Sequence, residues 1–254
     1  MLTFFRRIRR GFLSNDATSK YLLYAIGEIA LVVIGILIAL QVNNWNQNRL
    51  DARMEQSFLL RLERDLQEDI NQLEELIDFA DETIAISPAV IDDLYGTKRT
   101  IEDVFVLSDR SNGIWVPDFV PNDATYKELE SSGQLNLIRS EKLREALIDI
   151  VKIYQQDVEW RSLINDWLVG VIRELDTHTK MIKYNEFTRS ALKVPEYTPP
   201  AEWQVLNDTE SREFDLVENT IVSRLWIVQQ KKMRYTGLID ECEVVLRLVK
   251  DQIR

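Results

Sequence analysis

The sequence predicts an all-α fold: one N-terminal transmembrane helix that continues into an extracytoplasmic antiparallel helical bundle. Three observations lead to this prediction. Residues 21–43 form an apolar run with a single charged side chain, Glu28. Beyond this run, apolar residues recur every seven positions, which is typical of a buried helical stripe. The chain has only 8 glycines and 6 prolines in 254 residues, and this disfavours an all-β fold with many tight turns.

The run 21–43 has the length and composition of a transmembrane helix. At about 1.5 Å rise per residue it gives roughly 34 Å of helix, enough to cross a hydrocarbon core with some tilt. Tyr21 and Tyr24 lie at one end and Trp45 lies just beyond the other, where amphipathic rings prefer the lipid headgroups. No small-residue cleavage pattern follows the run, so we expect an uncleaved signal anchor. No second hydrophobic span follows either, so we expect a single crossing.

The segment 1–20 is basic and has apolar residues at helical spacing. Such a pattern suits a short helix on the inner leaflet, with arginines on the lipid headgroups; the alternative is a leader that only orients the chain. The arginines concerned are Arg6, Arg7, Arg9 and Arg10. The positive-inside rule then predicts a cytoplasmic N-terminus and a periplasmic segment 44–254 in a bacterial inner membrane. The net charge of −11 argues against nucleic acid as a partner.

Glu28 lies roughly one third of the way into the span, and an intramembrane carboxylate usually faces protein or water. Three small residues share its helix face and would let another helix approach closely: Ala25, Gly35 and Ala39. Two hypotheses follow. Glu28 either takes up protons or coordinates an ion within an assembly, or it only specifies how helices pair.

The N-terminal sequence resembles an uncharacterised family of single-pass bacterial membrane proteins. The resemblance rests on three runs: FFRRIR at 4–9, KYLLYAIGEI at 20–29 and VIGILIALQVNNWN at 33–46. A second recurring element of such proteins is similar to ELESSGQLNLI at 128–138 and LREAL at 143–147. The resemblance implies a membrane topology with a variable helical extracytoplasmic part, and it implies no chemistry.

Residues 44–254 are predicted to form the bundle. We expect long helices at about 45–87, 140–184 and 211–252, with short ones at about 101–107 and 125–132. Because neither Gly nor Pro occurs between Trp45 and Pro88, the transmembrane helix is expected to continue as one rod. The apolar stripe of the last helix recurs at strict sevens: Phe214, Ile221, Val228, Tyr235, Cys242 and Val249.

Local signals predict where several helices begin and which face they bury. Thr100-x-x-Asp103 and Thr125-x-x-Glu128 resemble capping boxes, and Ser140 is a predicted cap for the second long helix. Gly133 is expected to end the short helix before it. The buried side of the second long helix is predicted from its spacing: Leu143, Leu147, Ile150, Tyr154, Val158, Ile164, Leu168, Val171 and Leu175.

No motif in the sequence predicts catalysis, a metal site or a cofactor. A Gly-rich phosphate loop, Gly-x-Ser-x-Gly and Cys-x-x-Cys are all missing from it. His178 follows Glu174 by four residues, but a di-metal carboxylate bundle needs a second histidine, so we expect a surface histidine. Cys242, in the heptad stripe, is expected in the core. We therefore expect a protein that is not an enzyme.

Aromatic residues in and near two loops form the one candidate ligand site outside the membrane. They are Trp115, Phe119, Tyr126 and Trp203. Their rings either line a site beneath the loops or fill the end of the bundle, where large rings contribute much buried area.

Three functions fit these features. The first is assembly or partner binding by the periplasmic bundle, with a homo-oligomer or another membrane protein as the expected partner. The second is an ion-coupled or channel-like membrane component that uses Glu28. The third is a ligand sensor that signals through a membrane partner, since the cytoplasmic segment 1–20 is too short for an output domain.

Overall fold

The computed structural model describes the backbone of residues 16–179, 190 and 201–253, and all their side chains except those of 16–20, 23, 101 and 201–203. Every regular element in these ranges is helical, and they contain no strand. The predicted all-α class is therefore confirmed. The four arginines of the basic segment lie outside the described residues. The chain divides into two compact units, Met1–Gln56 and Ser57–Arg254.

The described part of the first unit belongs to helix α1, which spans Asp16–Ala85. A window of 18 residues in this helix has a mean hydropathy of 2.5, and none of the window is buried. Leucine, isoleucine, valine and alanine are also good or acceptable helix formers, and no proline interrupts them. Helix α1 is thus long and apolar enough to cross a membrane.

Among its described residues, the second unit contains the rest of α1 and five further α-helices. They are α2 (Ser87–Tyr95), α3 (Ile101–Asn112), α4 (Ala124–Ser131), α5 (Glu141–Thr179) and α6 (Arg212–Lys250). Short 3₁₀ helices occur at Gln134–Leu137 and Ala201–Asn207. The predicted end of the second long helix, at 184, lies outside the described residues.

Helix α2 differs from the sequence-based prediction, which places only an interruption at Ser87 and Pro88. In a continuing helix, Pro88 would lack the N–H for a hydrogen bond, and its ring would clash with the carbonyl of Ile84. Helix α1 therefore ends at Ala85, and Pro88 lies in the first turn of α2, where neither cost arises.

Apolar stripes of α1, α5 and α6 supply most of the core of the second unit. Leu59, Leu66, Leu73 and Ala80 of α1 are buried, and so are all six heptad positions of α6 from Phe214 to Val249. Helices α5 and α6 run antiparallel, because Asp157 pairs with Arg234 while Glu174, further along α5, pairs with Arg212.

The second half of α5 departs from the predicted buried stripe. Val158 is 49% exposed, and no side chain of α5 is buried between Arg161 and Leu175. The periodicity at Ile164, Leu168 and Val171 is present, but those side chains are only half-buried. Periodicity identifies an apolar face, and the number of neighbouring helices decides how completely that face is covered.

Two of the three predicted helix starts are confirmed by hydrogen bonds. The Asp103 amide donates to Thr100 Oγ1, and the Thr100 amide donates to Asp103 Oδ2, which completes a capping box. The Leu143 amide donates to Ser140 Oγ at 3.3 Å. Gly133, at φ +69°, follows α4 in the left-handed conformation that glycine adopts at no steric cost.

Thr125 is not a cap. Helix α4 begins one residue earlier, and the Thr125 hydroxyl is buried and donates to Asp65 Oδ2 on α1. The Thr125 side chain joins α4 to α1 instead of capping the start of α4, and the local pattern Thr-x-x-Glu does not distinguish the two roles.

Candidate functional site

The small-residue face of the span is bare in the structure. Ala25, Glu28, Gly35 and Ala39 are all exposed, and Glu28 makes no ion pair with another described side chain. A Cβ atom placed on Gly35 would meet no atom within 4 Å. Gly35 is thus not required by the packing of this chain upon itself, and the face has room for a neighbouring helix.

The predicted aromatic residues have different surroundings. Phe119 is buried and packs edge-on against Tyr154 of α5, with ring centroids 5.6 Å apart. Trp115 is exposed and packs against Phe79 of α1 at 6.1 Å. Tyr126 is buried in α4, and the side chain of Trp203 lies outside the described residues. The two loop rings Trp115 and Phe119 therefore contact different helices.

The loop that carries these rings is held in the second unit by hydrogen bonds from two helices, α1 and α6. We call residues 114–123, which have no regular secondary structure, the clamped loop. On the side of α1, the Val120 amide donates to Gln72 Oε1 at 3.0 Å. The Asn122 amide and side chain donate to Asp69 Oδ1 at 2.7 and 3.1 Å. Carboxylate and amide oxygens of α1 thus satisfy backbone donors that a strand or helix would satisfy itself.

Donors on α6 satisfy two carbonyl groups of the clamped loop, and Thr83 of α1 donates to a third, that of Trp115. Lys231 Nζ donates to the Val116 oxygen at 2.8 Å, and the Tyr235 hydroxyl donates to the Pro117 oxygen at 2.9 Å. Both side chains are buried. Burial raises the pKa of Tyr235, so its hydroxyl stays protonated and remains a donor.

A network of ion pairs connects the clamped loop to α5 and α6. Asp157 of α5 is buried and accepts from Arg161 Nε at 2.7 Å and from Arg234 Nε at 3.2 Å. Lys231 Nζ lies 2.7 Å from Asp118 Oδ1, and Arg161 Nη1 lies 3.7 Å from Asp118 Oδ2. Two carboxylates thus pair with three cations, of which Arg161 and Lys231 are buried, so no buried charge lacks an opposite partner.

A second buried chain of polar groups joins α1, α5 and α6. The Tyr154 hydroxyl donates to Asp69 Oδ2 at 2.7 Å and lies 3.1 Å from Cys242 Sγ. Burial raises the pKa of Asp69, and hydrogen bonds from Asn122 and Tyr154 oppose that rise. Burial also raises the pKa of the Cys242 thiol to about 12. A thiol with this pKa is protonated at neutral pH and is a poor nucleophile.

The polar side chains around the clamped loop hold the loop and the long helices together. Its carboxylates are occupied by donors, its thiol is protonated and buried, and His178 lies on the surface with Nδ1 2.9 Å from the Glu174 main-chain oxygen. Across the described ranges, no three His, Cys, Asp or Glu side chains are arranged to hold a metal ion. Polar networks of this kind specify one arrangement of the helices when all members are satisfied.

Sequence reasoning missed Asp69, Asp157, Arg161 and Lys231 as members of the site. Each is a charged residue on a helix rich in charge, and most such residues are solvated. One signal was available for Lys231 and Asp157: each lies three or four residues from buried positions, on the apolar face of its helix. A charged residue inside an apolar stripe predicts a buried partner.

The fold and these sites define a helical protein with one helix suited to a membrane and a polar network that holds a long loop. The chain belongs to a family of unknown function, DUF6090, whose sequence model matches residues 28–172. The matched range runs from Glu28 of α1 through the clamped loop to Ile172 of α5. No curated protein and no solved structure gives a match to the chain.

Proposed function

We propose that this protein is a single-pass protein of the bacterial inner membrane, with its N-terminus in the cytoplasm. In this proposal, the helices of the second unit form a periplasmic antiparallel bundle that assembles with other copies of the chain. The observation that carries the proposal is the exposed span, in which every described side chain of 21–50 is exposed and one face combines the carboxylate of Glu28 with the small residues Gly35 and Ala39. A carboxylate at membrane depth is stable when protein or water surrounds it.

Cysteine crosslinking in native membranes tests this assembly. The single native cysteine is first removed by Cys242→Ala, and Gly35→Cys or Ala39→Cys is then introduced. Both variants should give disulfide-linked dimers on mild oxidation, because their positions share the face of Glu28. Leu37→Cys is the matched control: it lies on the opposite side of the helix and should crosslink far less. Equal crosslinking at all three positions, or none, would contradict the proposal.

Protease protection tests the topology. Protease added outside spheroplasts should digest the segment 44–254 and leave the segment 1–20 protected. Protection of the C-terminal helices would place them in the cytoplasm and overturn the periplasmic assignment.

The exposed Glu28 also supports a second candidate function, an ion-coupled membrane component. Here the carboxylate would bind and release a proton or cation inside the assembled span. Glu28→Gln keeps the shape and removes the titrating group, so ion flux through reconstituted protein should fall while the Gly35→Cys crosslink persists. Unchanged flux with an intact crosslink would exclude coupling and leave assembly standing.

A further inference from the structure

An exposed apolar surface lies where α5 and α6 meet, on the side away from the core. Trp167 of α5 and Trp226 of α6 pack edge-on there, with ring centroids 5.8 Å apart and an interplanar angle of 77°. Leu163 flanks this pair on α5, and Val222 and Met233 flank it on α6. We call these five residues the outer seam. Their side chains are 44% to 70% exposed.

The spacing of the outer seam is that of a helix-packing stripe. Leu163, Trp167 and Gly170 are separated by four and three residues, and Val222, Trp226, Gln229 and Met233 by four, three and four. Alternating steps of three and four keep side chains on one helix face, as in the contact positions of coiled coils. Helix α6 thus carries two stripes: the buried heptads from Phe214 to Val249 and this outward one.

None of the five residues of the outer seam is charged, although the chain carries a net charge of −11. On α5 the exposed Asp166 lies beside them, three residues after Leu163 and four before Gly170. A net charge of this sign makes two copies repel each other at long range. A contact through the seam residues themselves brings apolar groups together and adds no like charges at its centre.

The exposed area of the outer seam is sufficient for a symmetric contact. With about 200 Å² for a fully exposed large side chain, the five residues present roughly 500 Å² of apolar surface, as much as the largest patches on monomeric proteins. A two-fold contact that covers the same patch on both copies buries roughly 1,000 Å² in total, about the least area of a biological interface.

Gly170 leaves room beside the outer seam for a neighbouring helix. It lies on the exposed face of α5 with Leu163 and Trp167, and a Cβ atom placed on it would meet nothing within 4 Å. The packing of the chain upon itself therefore does not require a glycine in mid-helix, whereas a helix of a second copy would approach most closely there.

We infer that the outer seam of α5 and α6 binds the same surface of a second copy of this chain, as a two-fold contact outside the membrane span. This inference rests on the proposed assembly and names its second contact. Common anchoring in one bilayer would raise the effective concentration of the two patches and favour even a small interface.

Full-length protein in mild detergent tests the inference by light scattering over a range of concentrations. Leu163→Glu places a charge in the seam and should weaken dimerisation at least about tenfold. Leu60→Glu makes the same change at a side chain of α1 that is 54% exposed, and it should leave the dimer unchanged. Thermal unfolding followed by circular dichroism should be alike for both variants, which separates loss of contact from loss of fold.

Combining this measurement with the span crosslink distinguishes the two proposals. An unchanged dimer in Leu163→Glu, with the Gly35→Cys crosslink present, would overturn the outer seam and leave assembly through the span standing. A monomeric wild-type protein without the crosslink would overturn both. If the wild-type protein is a monomer by itself and its mass rises only when another membrane protein binds the outer seam, a second copy of the chain is excluded as the partner of this surface.

Discussion

The hydroxyl group of Tyr154 donates a 2.7 Å hydrogen bond to Asp69 Oδ2 across the core of the second unit. The two residues are 85 positions apart, on α5 and α1. The same carboxyl group holds the backbone of the clamped loop through Asn122. One buried side chain therefore connects two helices and a loop.

Tyr154→Phe removes this bond while keeping the ring against Phe119. We expect a loss of about 1–2 kcal/mol in the free energy of unfolding, because Asp69 loses one donor and keeps those of Asn122. Denaturant unfolding of the full-length protein in detergent measures it. Tyr126→Phe is the control: its hydroxyl lies 3.5 Å from the exposed Glu130, and its effect should stay within about 0.5 kcal/mol. Equal effects in both variants would contradict the prediction.

Asp69 makes stability depend on pH with a definite sign. Burial raises the pKa of Asp69 in the folded protein above the ordinary value of 3.8, so the folded state binds the proton more tightly than the unfolded state. Its contribution to stability is therefore full below 3.8 and is lost as pH rises through the raised value. The destabilisation caused by Asp69→Asn should consequently be larger at acid pH than at neutral pH. A destabilisation that shrinks on acidification would contradict this sign.

Asp157→Ala should cost about 3–5 kcal/mol, because Arg161 is buried and would lose its closest carboxylate. Asp149→Ala is the matched control on the same helix. Asp149 pairs with Lys152 at 2.9 Å, but both side chains are more than half exposed, so the change should cost less than about 0.5 kcal/mol. Chemical denaturation of the two variants provides the comparison. Similar costs would show that the Asp157 network is no more stabilising than a surface pair.

Cys242 should resist alkylation in the folded protein. Its side chain is buried, and its raised pKa of about 12 leaves almost no thiolate at pH 8. Iodoacetamide followed by mass spectrometry should detect modification only after denaturation. Leu60→Cys in the Cys242→Ala background supplies an exposed thiol outside the outer seam, because Leu60 is 54% exposed, and it should react at once. Rapid labelling of Cys242 in native protein would mean that the core opens readily at this position.

Gly133→Ala should destabilise the protein by about 1–2 kcal/mol, because Gly133 has φ +69°, where a Cβ atom is strained. Gly237→Ala is the comparison within α6. A Cβ atom there meets nothing within 4 Å, and alanine should raise stability by about 0.5–1 kcal/mol through its helix propensity. Thermal melts of the two variants should therefore shift in opposite directions.

Periodicity predicted those parts of the fold that depend on local sequence. All six positions at sevens in α6 are buried, and Ser140 and Thr100 begin helices as their side chains predict. The same reasoning predicted that Val158 lies in the core, but its side chain is 49% exposed in the structure. A stripe on one helix contains no information about which neighbours are present to cover it.

The polar partners of the clamped loop were beyond sequence reasoning for a related reason. Turn residues and aromatics predict a loop at 111–121, close to the observed 114–123, but they do not name Gln72, Lys231 or Tyr235 as its partners. Those pairings arise only when distant segments pack together, and charged or polar residues on a helix are usually solvated. The role of Glu28 and of the small residues beside it remains a prediction from the sequence.

The clamped loop has a consequence for the order in which the chain acquires its structure. Its partners on α1 and α6 lie 32 to 118 positions away, and the loop forms few hydrogen bonds of its own. Closing segments of that length costs chain entropy before any bond is gained. The amides of Val120 and Asn122 should thus gain protection from hydrogen exchange only after the long helices have docked, which makes them reporters of completed tertiary structure.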